Sequence, residues 1–433
     1  MRALADRLRD VIHPPGGRGG PGAPEGAPGD RDAADVLDGE WYQTRGERFL
    51  VIDRRYAPGY RHGRMALADC LPPAGGVWPR LTLLAGGASL AGGANLHGSP
   101  SAGRRLLFLD LETTGLAGGA GTYAFLVGCG WFDGIGFRTR QFFLSTFGAE
   151  RELLETLADL SADTACVVTY NGRTFDLPIL ETRFALHRLP TPFDDLPHLD
   201  MLHPARRLWR EEDGECRLMS LERALCGHER EGDVPGFEIP SRYFHYVRRG
   251  DARPLAAVLE HNRLDLVSLA MFTARAAQLL DAGPESAATS REALGMGRLY
   301  ERAGLVGQAL ESFVRAVRMG HDGAVTRPEA FRAHAVLCRK LRRFDEAAES
   351  WRQALESRVC PPAIARDASE ALAIHHEHRA RDLETARSFA LHALRMQPTV
   401  PHLRAVQHRL ARLDRKMGSQ AAATPPALFP AGS

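Results

Sequence analysis

Four acidic residues occupy segments whose patterns allow their side chains to converge. Asp110 and Glu112 stand two apart in LLFLDLE, an apolar run that reads as a buried strand, so both carboxylates project from one face. Asp176 closes YNGRTFD, directly after the strand-like ACVVTY, and Asp265 closes HNRLD. His261 precedes Asp265 by one helical turn and shares its face. Like charges beside apolar strands are costly unless a cation neutralises them. Hard oxygen ligands of this kind suit Mg²⁺ or Mn²⁺. Two such ions clamp the attacking water and the leaving oxygen of a phosphodiester, and a histidine beside a ligand can take the proton from that water. Taken singly, a D-x-E strand or an H-x-x-x-D helix is common. The specific signal is the ordered set of DLETTG, then N-x-x-x-F-D, then H-x-x-x-D.

The elements that must position these residues run from about Leu106 to Leu280. LLFLDLE, YAFLVGCGWF and FRTRQFFLST read as three strands, with the turn DGIG between the last two. ERELLETLADL is helical, ACVVTY a strand, Asp176–Leu189 helical and HLDML a fifth strand, followed by helices. The expected fold is α/β, a mixed five-stranded sheet flanked by helices. Upstream, residues 1–37 read as a short amphipathic helix and a flexible Pro/Gly linker. Residues 38–103 read as a hairpin (Glu40–Gln43 and Arg48–Asp53) and a Gly-rich extension. The sheet domain is bounded at 104–283. From 290 to 418 small and aromatic residues recur, with Gly297, Tyr300, Ala309, Phe313 and Ala316 followed by Ala347, Trp351 and Ala354, then by Ala386, Ala390, Ala393 and Pro398. This register predicts an all-α domain of tetratricopeptide-like repeats. Residues 419–433 read as a disordered tail.

On DLETTG, Asn171 with Phe175–Asp176, and His261 with Asp265, the chain resembles the DEDD 3′–5′ exonucleases of the ribonuclease H-like superfamily, most closely the YprB-like branch. The resemblance covers about Arg105–Leu280, and helical repeats after the nuclease-like domain also suit that branch. It implies that Asp110, Glu112, Asp176 and Asp265 hold two Mg²⁺ or Mn²⁺ ions and that Thr113, Leu116, Asn171 and Phe175 lie near the terminal nucleotide. The histidine-type members separate the histidine from the last aspartate by four residues and the tyrosine-type members by three. His261 sits at the three-residue spacing, so it is either the general base or a structural partner of Asp265. The implied activity is 3′–5′ hydrolysis of single-stranded DNA or RNA ends. Two other readings stay open. One is a weakly active or inactive nucleic-acid-binding adaptor whose repeats recruit a protein partner, and the other is a phosphodiesterase acting on a small nucleotide.

Composition narrows the classes. Charges nearly cancel, with 55 basic and 53 acidic residues, so no strongly basic binder shows in the total. By region, 1–285 holds 32 basic and 38 acidic residues and 286–433 holds 23 and 15, an acidic half followed by a basic one. Seven scattered cysteines without a C-x-x-C pair disfavour a disulfide scaffold or structural zinc and predict reduced thiols in a cytoplasm. The charged N-terminus argues against a secretory signal, and the longest uncharged stretch, Leu81–Gly103, is too rich in glycine for a membrane span. Other residues have simpler explanations. Asp200 fits a capping role, Arg206, Arg207 and Trp209 an amphipathic helix, and Cys226 with His228 lacks a second ligand pair.

Overall fold

The computed structural model describes residues 32–43, 46–73, 80–85, 104–115, 119–210, 216–320, 326–396 and 400–423. The helix expected at 1–12, the Pro/Gly linker and most of the Gly-rich run lie outside them. The chain divides into two compact units, the first from Met1–Leu81, Ser89–Leu202 and Arg217–Arg275, the second from Thr82–Ala88, His203–Cys216 and Ala276–Ser433.

Among the described residues nine strands follow in chain order: β1 (Glu40–Gln43), β2 (Arg48–Tyr56), β3 (Arg61–His62), β4 (Met65–Ala66), β5 (Arg105–Thr113), β6 (Ala124–Phe132), β7 (Phe137–Phe143), β8 (Thr164–Thr169) and β9 (His198–Asp200). Seven form one sheet in the order β1-β2-β7-β6-β5-β8-β9, and β3 and β4 form a small hairpin of their own. Along β1-β2-β7-β6-β5 the neighbours run antiparallel, whereas β8 and β9 join parallel beyond β5. The five expected strands are all present. The sheet nevertheless has seven, because the upstream hairpin is not a separate extension and pairs with β7. Asp53 of β2 and Arg140 of β7 sit opposite each other and make a bidentate ion pair at 2.7 and 2.6 Å, a contact between segments far apart in the chain.

Strands β6 and β8 are buried along almost their whole length, which accounts for their continuous apolar runs. Leu107, Leu109 and Leu111 of β5 enter the main core with Leu153, Leu157 and Leu180 of the helices Glu150–Ser161 and Asp176–Leu186. Tyr243, on the helix Ile239–Arg249, stacks on Phe125 with ring centres 4.2 Å apart, and its hydroxyl donates to the Leu144 carbonyl at 3.0 Å. The opposite face of β5 carries Leu106, Phe108, Asp110 and Glu112, and the 27-residue helix Ala256–Ala282 supplies His261, Asn262 and Asp265 to that side.

The second unit is helical. Its pairs are Ser290–Arg302 with Val306–Arg318, Thr326–Lys340 with Phe344–Glu356, and Pro362–His375 with Leu383–Arg395. Ala309, Ala347 and Ala386, the small residues of the repeating register, are all buried. A Cβ at Gly297 would meet the Phe313 ring at 2.4 Å, so glycine there is what lets the first two helices close. The helix Leu202–Trp209 has Trp209 Nε1 donating to Glu292 at 3.0 Å, with Leu202, Ala205 and Leu208 buried. This is the amphipathic arrangement expected of it. The final helix, Val400–Ala423, continues past the expected boundary at 418, and residues 424–433 of the expected tail lie outside the described residues. No helix among the described residues is long and apolar enough to cross a membrane.

Two glycines on adjacent helices separate packing from propensity. Gly297→Ala is expected to destabilise the protein by roughly 1–3 kcal/mol through the clash with Phe313. Gly307→Ala, where nothing lies within 4 Å of the added carbon, is expected to be neutral or stabilising by up to about 1 kcal/mol. Denaturant unfolding of both variants measures the contrast, and equal effects would contradict the packing account.

Candidate metal centre

Asp110 is built into the sheet by a missing side chain. Its partner on β6 is Gly128, where a Cβ would lie 2.2 Å from Asn262 Oδ1. The glycine therefore leaves room for the buried Asn262 amide. Asn262 Nδ2 donates to Asp110 Oδ2 at 2.7 Å and to the Asp110 carbonyl at 3.2 Å. Its Oδ1 accepts from Gln141 Nε2 at 2.8 Å, and the same Gln141 amide donates to the Leu259 carbonyl at 2.8 Å. Each amide in this buried relay is held by the next, as burial of polar groups requires.

Asp176 is set by the turn between β8 and its helix. Asn171 adopts the left-handed conformation at φ 68°, which asparagine tolerates better than most residues. Asp200 accepts from the backbone N–H groups of Asn171 at 2.8 Å, Arg173 at 3.2 Å and Leu202 at 3.1 Å. Gly172 has no space for a side chain, since its Cβ would come within 2.5 Å of Thr169 Oγ1 and 2.7 Å of Asp176 Oδ2. Asp200 thus pins the loop, and Asp176 emerges from it at the first position of its helix.

Asp265 meets a cation that the chain itself supplies. Arg230 Nη2 donates to Asp265 Oδ1 at 2.5 Å, and Arg230 Nε donates to Glu222 Oε2 at 2.7 Å. Asp233 accepts from His261 Nδ1 at 2.6 Å, leaving His261 Nε2 toward Asp265 Oδ2 at 3.7 Å. In the neutral ring, a proton held on Nδ1 by Asp233 puts the lone pair on Nε2. Behind Arg230, the buried His62 pairs through Nε2 with Glu222 Oε1 at 2.5 Å and lies 2.9 Å from Ser268 Oγ.

The electrostatics show how crowded the anions are. Burial, then the facing charges of Asp265, Glu112 and Asp176, push Asp110 well above the usual carboxylate range. Burial and the charges of Asp265, Asp176 and Asp233 do the same to Glu112. Burial and the neighbouring Asp200 and Asp265 raise Asp176 to about 7, against the pull of backbone N–H groups. Asp265 is raised by burial despite Arg230 and His261. The structure therefore brings Asp110, Glu112, Asp176 and Asp265 into one interacting group. Their donor set is all oxygen and anionic, which fits a divalent hard cation.

Of the other expected site residues, Asn171 flanks Asp176 and Phe175 is 45% exposed beside it. Thr113, at the end of β5, turns its hydroxyl to the Gly115 carbonyl at 3.0 Å, and Leu116 lies outside the described residues. Sequence reasoning missed Asn262, Gln141, Arg230, Asp233 and the pair His62–Glu222. Asn262 had a legible signal, as an amide three residues before Asp265 on the same helix face. Among the described residues the compact grouping of three ligand atoms, within 4.8 Å of one another, is His62, Glu222 and His228. Ser268 and Arg230 already donate to Glu222. Burial raises the Glu222 carboxyl, but His62 and Arg230 bring it down to about 2. It therefore reads as a satisfied ion-pair cluster.

Raised carboxylates bind protons more tightly in the fold than in the unfolded chain. The four acids' contribution to stability is therefore greatest below about pH 4, the unfolded value, and is lost as pH rises, through about 7 for Asp176. Melting without metal at pH 5 and pH 8 is expected to show this loss, Mg²⁺ or Mn²⁺ to restore more at pH 8, and Asp110→Asn to flatten the dependence. Identical pH profiles for the variant and the parent would refute the account.

Residues 107–276, which contain all four acids, match the family model for the RNase_H superfamily. A curated relative, the uncharacterized protein YprB of Bacillus subtilis (strain 168), is 29% identical over 319 residues, covering 72% of this chain and 75% of the relative. The chain carries a ribonuclease H-like domain, a mixed seven-stranded sheet with flanking helices, followed by a helical region.

Proposed function

We propose that this protein is a divalent-metal-dependent nuclease that removes nucleotides from the 3′ ends of single-stranded nucleic acid. The observation that carries the reading is the burial of Asp110, Glu112, Asp176 and Asp265 in one group, where burial raises the proton affinity of all four and the charge of Asp265 raises it further in the other three. Two Mg²⁺ or Mn²⁺ ions bound there would polarise the scissile phosphate and activate water. Asp110 and Glu112 would hold one side of the centre from the rigid strand, and Asp176 and Asp265 the other from two helices. His261, oriented by Asp233, would accept the water proton at Nε2. Phe175, exposed beside Asp176, offers an apolar platform for a terminal base, and the resemblance implies that Thr113, Leu116 and Asn171 would also lie near the terminal nucleotide. The match to the RNase_H superfamily supports a nucleic-acid substrate.

The helical region serves this reading as tetratricopeptide-like repeats, supported by the buried Ala309, Ala347 and Ala386 and the Gly297–Phe313 contact. Seven scattered cysteines without a C-x-x-C pair support a reducing, cytoplasmic setting. One observation favours the rival adaptor reading, in which the repeats recruit a protein partner and the nuclease fold only binds. Arg230 already occupies Asp265 and competes with a metal for that oxygen.

With Mn²⁺, the purified protein is expected to shorten a 5′-labelled single strand, and Asp110→Asn to abolish the activity while the fold persists. Equal residual activity in that variant would trace cleavage to a contaminant. Asn262→Ala, which removes the donor to Asp110, is expected to weaken metal binding by roughly 10- to 100-fold, as loss of an outer-shell partner does. Calorimetry with Mg²⁺ and Mn²⁺ measures this, and an absence of saturable binding in the parent protein would favour the adaptor.

A further inference from the structure

The last repeat and the helix Val400–Ala423 meet around one buried carboxylate. Glu377 Oε2 accepts from Arg409 at 2.8 Å and from Arg412 Nη2 at 2.7 Å, while Oε1 accepts from Arg412 Nε at 2.8 Å and from Lys416 Nζ at 2.8 Å. The Glu377 side chain has no exposure, and Arg412 and Lys416 hold its carboxyl down at about 2. As a clamp that seats the final helix, this is oversupplied with positive charge. One carboxylate offsets one cation, and three are gathered on it.

The excess opens into a cavity of about 510 Å³ lined by Glu377, Arg381, Leu383, Arg412, Arg415, Lys416 and Ser419. Arg381 and Arg415 bring two further guanidinium groups, neither paired with a carboxylate among the described residues. Arg415 donates to the Ala411 carbonyl of its own helix. Arg381 ends its turn at φ 57°, a conformation that glycine adopts more cheaply. The cavity thus has four cationic linings against one anion, and that anion is already engaged. Guanidinium groups in this number match phosphate oxygens by paired hydrogen bonds.

We propose that this cavity binds the phosphodiester backbone of a single-stranded nucleic acid, as an anchoring site separate from the carboxylate centre. The choice of nucleic acid over another polyanion rests on the nuclease reading, because the same chain then handles that polymer. Contacts of this type go to the backbone and leave the bases unread, so the anchor holds any sequence. Its signature is a steep fall in affinity with salt.

The test uses the full-length protein in EDTA with a fluorescein-labelled oligothymidylate, read by anisotropy across a salt series. Arg381→Glu with Arg415→Glu, which leaves the three cations on Glu377 in place, is expected to weaken binding on the order of tenfold. It should also lower the salt slope by about 0.7 for each phosphate that the variant no longer neutralises. Unchanged affinity and slope in a variant that melts like the parent would overturn the proposal. So would displacement of the oligonucleotide by polyglutamate or by inorganic phosphate at equal molar charge. A protein that binds in this way but cleaves nothing with any divalent metal would refute the nuclease reading and leave the anchor standing.

Discussion

Repulsion among four crowded carboxylates is the constraint that the first unit is built around. No strand or helix gains stability from holding Asp110, Glu112, Asp176 and Asp265 against one another, and burial makes each charge more costly. The surroundings limit that cost without removing it. Asn262 donates to Asp110, backbone N–H groups meet Asp176 through a loop that Asp200 fixes, and Arg230 covers Asp265. The remaining imbalance weakens the fold, and under the proposed function it is what would give a divalent cation its affinity there.

Arg230 gives the N-terminal segment a role in that balance. A buried guanidinium needs fixed partners, and Glu222 is one. Glu222 is in turn held by His62 and Ser268. His62 lies on β3, ahead of Gly63, whose positive φ and closeness to the Cys226 carbonyl seat the small hairpin on the segment Glu222–Cys226. A stretch with no chemistry of its own therefore reaches the centre through three residues. The hairpin β1–β2 adds two strands to the same sheet.

Much of this was legible in the residue pattern because much of it is local. The five strands from β5 to β9 announce themselves by apolar runs and alternation. Asp110 and Glu112 share a face by strand geometry alone, and His261 and Asp265 by helical spacing. What stayed hidden depends on contacts between distant segments. Nothing near Asp53 says that it will pair with Arg140, so the hairpin reads as an appendage. Arg230 and Asp233 lie in an irregular stretch without periodicity, and an Arg–Asp neighbourhood there resembles any solvated loop. Asp200 shows the opposite case, since a strand-end aspartate before a helix already suggests capping, and it accepts the N–H of Leu202 as well as two from the loop.

The gap at Gly128 joins residues that are far apart in the chain. Asn262 reaches Asp110 only because position 128 has no side chain, and Gln141 then becomes the partner of the remaining amide oxygen. A methyl group at 128 would evict the amide and strand Gln141 with it. Glycine, glutamine and asparagine therefore form one interdependent unit with the aspartate. A descendant that gave up the chemistry would be free to fill the gap, and a single added carbon at that position would record the change.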